Sequence, residues 1–178
     1  MSTRSAVDSH DVAFERERGV FAVEVTRQVC HAVIDVGDEG DRASRILNTF
    51  QTLASARVPV FLIKLHRTAV TLGLAGQDAE RAEAAIASGG MQARMRCDLA
   101  LIVVRASSMR DLSGIMSQIA DALYVAGARM LAAGDSHSTV QCIIEDNRAE
   151  AVTQELAKVF GLEPSGIVQR PLPEAPAL

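Results

Sequence analysis

The sequence predicts an α+β fold built from a unit that occurs twice. Each copy opens on a short apolar strand, His31–Val36 in the first and Leu99–Val104 in the second, an offset of about 70 residues. A loop and a helix follow each strand, and then two strands and a second helix. This order predicts, for each copy, an antiparallel sheet of four strands with two helices on one face.

The elements of the first copy, residues 29–97, follow from the spacing of apolar residues. Helical spacing over Arg42–Ala56 gives one apolar stripe. Asp41 precedes this helix as an N-cap, because its carboxylate can accept free backbone N–H groups. The remaining elements are the strands Val58–Leu65 and Ala69–Ala75, the helix Gln77–Ser88 and the short extended piece Met91–Met95.

The second copy, residues 98–162, has no apparent final strand. Its elements are the strand Leu99–Val104, the helix Leu112–Ala126, the strands Ala128–Ala133 and Thr139–Ile144, and the helix Asn147–Phe160. An alternating strand, Val20–Thr26 within residues 18–28, precedes the first copy and is spare. We therefore expect it to complete the second sheet and to interlock the two copies.

The two ends of the chain are predicted to lack regular structure. Residues 1–17 are polar and charged and read as a disordered leader. Residues 163–178 hold four of the five prolines and read as a mobile tail.

Composition excludes several classes of function. The net charge is −4, which argues against a nucleic-acid partner. No apolar run approaches the roughly 20 residues that span a bilayer, and the N-terminus has no apolar signal region. These features predict a cytoplasmic protein without a membrane partner. Cysteines 30, 97 and 142 lie in or beside strand-like runs and are expected to be buried thiols in a reducing compartment.

No residue pattern supports catalysis or cofactor binding. Cys30 and His31 are neighbours on a strand, so their side chains point to opposite faces and cannot form a nucleophile–base pair. The histidines and cysteines lack zinc-type spacing, and Gly37–Gly40 lacks the Lys that follows a phosphate loop. We predict no catalytic residue, metal ligand or cofactor. A small anion site formed by Arg105, Arg110 and Arg129 remains an alternative to a solvated surface.

Several stretches resemble the ACT domain. Val103–Ile115 (VVRASSMRDLSGI) is similar to the strand, loop and helix start of that family, and Ala122–Met130 is similar to its ALAEAGINI stretch. Val140–Ile144 and Asn147–Leu162 resemble the following strand and last helix in aspartate kinases, and His31–Asp38 matches more weakly. Residues 18–162 thus resemble the tandem ACT domains of the C-terminal regulatory region, or small regulatory subunit, of aspartate kinase.

The resemblance implies two ferredoxin-like βαββαβ domains that form a non-catalytic regulatory module. It implies an amino-acid effector of the lysine or threonine class, bound at an interface between ACT domains, and a homodimer formed through those domains. A kinase catalytic subunit is the further partner that it suggests. The candidate effector-binding residues are Asp38, Gly40, Asp41, Pro59, Val60 and Ser136.

Two departures from the family pattern leave a second interpretation open. Asp41 stands where the family has Gly and puts a negative charge where a ligand carboxylate usually meets the helix start. Pro59 stands where the family has a ligand-contacting Asn. The alternative function is therefore a structural ACT dimerisation module whose effector site is lost or changed. In that case Asp38 and Asp41 are helix-cap or solvated loop residues and Ser136 is a turn residue.

Overall fold

The structure, a computed structural model, describes residues 19–37, 40–107 and 112–172. Its described part contains seven strands and four α-helices, which confirms the α+β class. In chain order they are β1 (Val20–Asp35), α1 (Arg42–Ser55), β2 (Val60–Leu65), β3 (Ala69–Ala75), α2 (Ala79–Ser88), β4 (Ala93–Ala106), α3 (Leu112–Val125), β5 (Ala132–Asp135), β6 (Thr139–Glu145), α4 (Ala149–Phe160) and β7 (Ile167–Gln169).

The described strands form one curled sheet. Its order is β2-β3-β1-β4-β6-β5 with antiparallel neighbours, and β7 pairs in parallel with β1. A Cβ atom built on Gly134 in β5 would lie 3.8 Å from Leu62 Cδ1 in β2. The curl therefore brings the two end strands of the sheet into contact.

Strands β1 and β4 each serve both copies of the repeat. The spare strand Val20–Thr26 pairs with Leu101–Ala106, as expected from the sequence, and the rest of β1 pairs with β3 and with the start of β4. We call residues 29–96 the first half, and residues 20–26 together with 99–169 the second half. The sheet is continuous between them, so the division into two domains stays a prediction.

The continuity of β1 and β4 corrects the prediction of separate short strands at these places. The register between them shifts beside Gln28 and Asp98, and each of these residues has φ of 57°. A β-bulge of this kind bends a strand and leaves its pairing intact on either side. The predicted boundaries after residues 28 and 97 fall at these bulges.

The duplication is visible in the hydrogen bonds of both halves. Val36 N donates to Thr68 O at 2.9 Å, and Ala106 N donates to Ser138 O at 2.9 Å. Ala106 and Ser138 lie about 70 positions after Val36 and Thr68, respectively, which is the offset read from the sequence. Each half therefore ties the end of its first strand to the hairpin turn that follows.

Apolar side chains form a core under the helices of each half and a third cluster on the opposite sheet face. Cys30, Ile34, Leu53, Leu72 and Ile86 are among the buried residues of the first-half core. The second-half core includes Val23, Val25, Ile102, Ile119, Ile144 and Leu156. The third cluster includes Val29, Leu62, Leu99, Leu101, Val103 and Ile143.

The segment 163–178, expected to be a mobile tail, has regular structure in its described part. Pro164–Gly166 forms a 3₁₀ turn and Ile167–Gln169 forms β7 beside Val23–Val25. Arg170 N donates to Val25 O at 2.8 Å. The run Ile-Val-Gln favours extended structure, and it pairs with the backbone of β1 on the side opposite β4. The prediction of a mobile tail rested on the number of prolines and did not take this pairing into account.

Two of the three cysteines also differ from expectation, whereas Cys142 is a buried thiol as predicted. Cys30 and Cys97 form a disulfide that joins β1 to β4 beside the two bulges, where their Cα atoms are 4.1 Å apart. Cys97 is exposed, whereas its partner Cys30 is buried in the first-half core. Cys142 is free and buried, and burial raises the pKa of its thiol to about 12.

Candidate functional site

The loop between β1 and α1 holds three of the predicted effector-binding residues. Asp38 lies outside the described residues. Gly40 and Asp41 are exposed, and Gly40 has a φ of 39° that favours glycine. The Asp41 carboxylate makes no capping hydrogen bond and lies 3.9 Å from Arg45 Nε. Asp41 thus occupies the N-cap position as expected, but its carboxylate does not cap the helix, because φ −103° and ψ 6° are not the extended geometry of a side-chain cap.

The base of this loop is fixed against the turn between β2 and β3. Arg42 Nε donates to Arg67 O at 3.0 Å, and Arg42 Nη2 donates to His66 O at 2.9 Å. On the other side, Gly37 N donates to Asp35 Oδ1 at 2.9 Å. The start of α1 and the end of β1 are therefore held at defined positions.

Pro59 and Val60 lie at the other end of the first half. Val60 is opposite Leu74, and Leu74 is opposite Cys30 on β1, whereas the β1–α1 loop follows Asp35. Along β1, Cys30, which is level with Val60, and Asp35, which precedes the loop, are five residues apart, or roughly 16 Å. One chain therefore does not bring Pro59 and Val60 to the loop.

Ser136 lies in the turn between β5 and β6 of the second half. Its Oγ is 2.7 Å from Thr139 Oγ1 and accepts a hydrogen bond from Ser138 N at 3.4 Å. These contacts are those of a turn residue. The five described residues of the predicted set thus belong to three different segments of the chain, and Asp38 lies outside the described part.

A cleft on the helix-free face of the first half was not predicted from the sequence. It has a volume of about 270 Å³ and lies beside the β1–α1 loop. Its lining consists of Val33, Asp35, Thr68, Ala69, Gln92 and Arg94. These residues come from β1, the start of β3 and the start of β4, so no sequence motif joins them. The alternation of β1 and β4 places Val33, Asp35 and Arg94 on one face, but only the register shows that they meet.

The second half carries a closed ion-pair cluster on the same face of the sheet. The buried Glu24 Oε1 accepts hydrogen bonds from Arg105 Nε at 2.8 Å and from Arg170 Nη2 at 2.7 Å. The hydrogen bond from Arg170 and the charge of Arg105 lower the pKa of Glu24 although burial opposes them. The cluster attaches the segment after β7 to the sheet.

His31 is the group from which we expect acid sensitivity in the first half. Its Nε2 is buried without a hydrogen-bond partner among the described residues. Burial lowers the pKa of His31, and the positive charges of Arg96 and His66 lower it further. The folded chain therefore resists protonation of this imidazole more than the unfolded chain does.

The free energy of unfolding should fall as the pH drops below the unfolded histidine pKa of about 6.5, and continue to fall until the lower folded pKa of His31 is reached. Above that window the imidazole is neutral in both states and this contribution is constant. Urea unfolding between about pH 7.5 and 5.5 measures the slope. His31→Gln should flatten it, and an unchanged slope in this variant would show that His31 is not its source.

The described ranges also lack the features of a metal site and of a membrane-spanning helix. No group of three or more His, Cys, Asp or Glu side chains there is arranged to hold a metal ion. None of the helices in these ranges is long and apolar enough to cross a membrane.

Solved structures that superpose on this chain include regulatory parts of aspartate kinases. The regulatory subunit of aspartate kinase from Thermus flavus superposes with a TM-score of 0.70 and 19% identity, over 80% of this chain and 99% of that one. A chain from the structure of the aspartokinase alpha and beta subunits gives a TM-score of 0.71 and 16% identity, over 81% and 100%. Escherichia coli aspartokinase III in complex with lysine and aspartate gives 0.64 and 17%, over 82% of this chain and 34% of that chain.

Sequence comparisons add no further relative. No protein-family model matches the chain, and no curated protein matches it by sequence. The predicted resemblance to the regulatory region of aspartate kinase is therefore confirmed at the level of the fold.

Proposed function

We propose that this chain is a non-catalytic regulatory module that binds an amino acid and controls an aspartate-kinase-like enzyme of amino-acid biosynthesis in the cytoplasm. The observation that carries the proposal is the extent of the structural match. The fold covers 99% of the Thermus flavus regulatory subunit rather than a fragment of a larger enzyme.

The effector in this proposal belongs to the lysine or threonine class. A lysine complex of a protein with the same fold, Escherichia coli aspartokinase III, supports this class. The proposed contacts are Asp38, Gly40, Asp41, Pro59, Val60 and Ser136, of which Pro59 and Val60 lie away from the β1–α1 loop within one chain. A site that used all of them would need ACT domains of two chains.

We propose that the chain is a homodimer in which the edge strand β2 takes part. The outer edge of β2 has no strand partner among the described residues. Ile63 and Leu65 on this strand are 52% and 57% exposed, which is unusual for large apolar side chains on a sheet. A second chain paired at this edge would engage the outer backbone groups of β2 and could place its own side chains beside Ile63 and Leu65.

An effector can regulate such an assembly only by binding one arrangement of its subunits more tightly than another. Coupling of this kind commonly amounts to about 1–3 kcal/mol, or roughly 5- to 150-fold in affinity. In the proposed complex, the kinase catalytic subunit responds to that shift and this chain performs no chemical step.

Asp41 favours a second candidate function, that of a structural dimerisation module. Its exposed carboxylate at the first turn of α1 would repel a ligand carboxylate placed there. In this alternative, the chain holds its partner subunits together and responds to no amino acid.

A kinase assay separates the two candidates. The chain is mixed with the aspartate kinase catalytic subunit of the same organism, and ATP-dependent phosphorylation of aspartate is measured with each of the standard amino acids. Regulation predicts that one amino acid changes the rate only when this chain is present. A complex whose rate no amino acid changes would support the structural candidate instead.

A further inference from the structure

The repeat places a pair of opposite charges at equivalent positions in its two halves. In the second half the pair is Glu24 on β1 and Arg105 on β4. Their equivalents in the first half, about 70 residues away along the chain, are Arg94 on β4 and Asp35 on β1. The acidic and basic residues have thus exchanged equivalent positions of the repeat, so that the acid lies on β1 and the base on β4 in both halves. Both pairs lie on the helix-free face as diagonal neighbours, close enough for long side chains to meet.

The pair of the second half is closed. Arg105 Nε lies 2.8 Å from Glu24 Oε1, and Arg170 Nη2 approaches the same oxygen to 2.7 Å. The carboxylate of Glu24 therefore has two guanidinium partners, and the segment after β7 covers it. No space is left between these groups for a ligand.

The pair of the first half is open. Within the described residues, Asp35 and Arg94 form no ion pair with each other, and both side chains are exposed. Asp35 accepts a hydrogen bond from Gly37 N and so leans toward the β1–α1 loop. The cleft of about 270 Å³ opens where the second half has its ion pair.

The lining of the cleft matches the chemistry of a zwitterion. Asp35 supplies a carboxylate for an ammonium group, and Arg94 supplies a guanidinium that can hold a carboxylate through two hydrogen bonds. Thr68 and Gln92 add polar groups, while Val33 contributes apolar surface. The cleft is smaller than the roughly 300–1,000 Å³ of sites for drug-sized ligands, which suits a small ligand.

We propose that this cleft binds a free α-amino acid, with its ammonium group on Asp35 and its carboxylate on Arg94. In the second half, Glu24 is paired with Arg105 and Arg170 of the same chain. In the first half, the bound amino acid would supply the charged partners of Asp35 and Arg94. This inference rests on the proposed amino-acid response, and it assigns that response to a site on a single chain. The adjoining β1–α1 loop is the element that the ligand would affect first.

Titration calorimetry of the full chain with each of the standard amino acids tests the assignment. The variants Arg94→Gln and Asp35→Asn should each weaken binding of the responding amino acid by about 10- to 100-fold, the usual effect of losing a charge-assisted hydrogen bond. Arg148→Gln is the matched control, because Arg148 is an exposed arginine outside the cleft. This variant should bind the amino acid as tightly as the unaltered chain does. Thermal melts establish that all variants are folded.

A ligand analogue gives a second, independent readout. The responding amino acid without its α-amino group should bind equally weakly to the unaltered chain and to Asp35→Asn, because the partner of Asp35 is missing. If the unaltered chain binds an amino acid and neither cleft variant weakens it, the assignment to this cleft is overturned while the proposed function stands. If the unaltered chain binds none of the amino acids at millimolar concentration, amino-acid binding itself is overturned, and this site with it.

Discussion

Deletion of residues 1–27 should unfold the second half, whereas deletion of residues 1–18 should leave it folded. The longer deletion removes Val23 and Val25, which are 0% and 1% exposed and belong to the second-half core. It also strips Leu101–Ala106 and β7 of their shared partner strand. Losing an interior strand should remove most of the roughly 5–15 kcal/mol that stabilises a typical domain.

Hydrogen exchange resolved by segment measures this effect directly. In the longer deletion, the amides of α3, β6 and α4 should lose their protection, and the thermal transition should broaden or disappear. The shorter deletion keeps Gly19 and all of β1 and is the control. A longer deletion that melts at the temperature of the full chain would show that Val20–Thr26 is dispensable for the second half.

Reduction of the Cys30–Cys97 disulfide should lower the free energy of unfolding by about 4 kcal/mol, the chain-entropy value for a closed loop of this length. The bond links residues 67 positions apart and encloses the first half. Cys97→Ser is the suitable variant, because Cys97 is exposed and serine there creates no buried polar group.

Urea unfolding of air-oxidised protein, with and without dithiothreitol, measures the disulfide contribution. Dithiothreitol should destabilise the unaltered chain and have no effect on Cys97→Ser. Thiol titration after unfolding should find Cys142 alone in the oxidised chain. Three reactive thiols in that titration would contradict the bond.

The parts of the fold that depend on local periodicity were predictable. Helix α1 begins at Arg42 and β3 spans Ala69–Ala75, as the sequence indicates, because apolar spacing and turn residues determine such elements locally. The pairing of Val20–Thr26 was also predictable, since the second copy lacked a strand and the first had one to spare. Comparison of the two copies of the repeat therefore indicated where Val20–Thr26 pairs.

The features that depend on contacts between distant segments were not predictable. The bulges at Gln28 and Asp98 occur at non-glycine residues, so nothing in the local sequence shows that two short strands are one. Strand β5 begins at Ala132 rather than Ala128, because its pairing with β6 sets its start. Predicting the cleft with Asp35 and Arg94 requires knowledge of the β1–β4 register, which a sequence motif does not contain.

Calorimetric titration of the unaltered chain with the standard amino acids tests the central claim most directly, because regulation by an effector requires that the effector bind. The proposed function predicts saturable binding of one amino acid, with lysine and threonine as the first to be measured. The absence of binding heat and of any thermal shift for all of them at millimolar concentration would contradict it and leave the structural dimerisation module as the function.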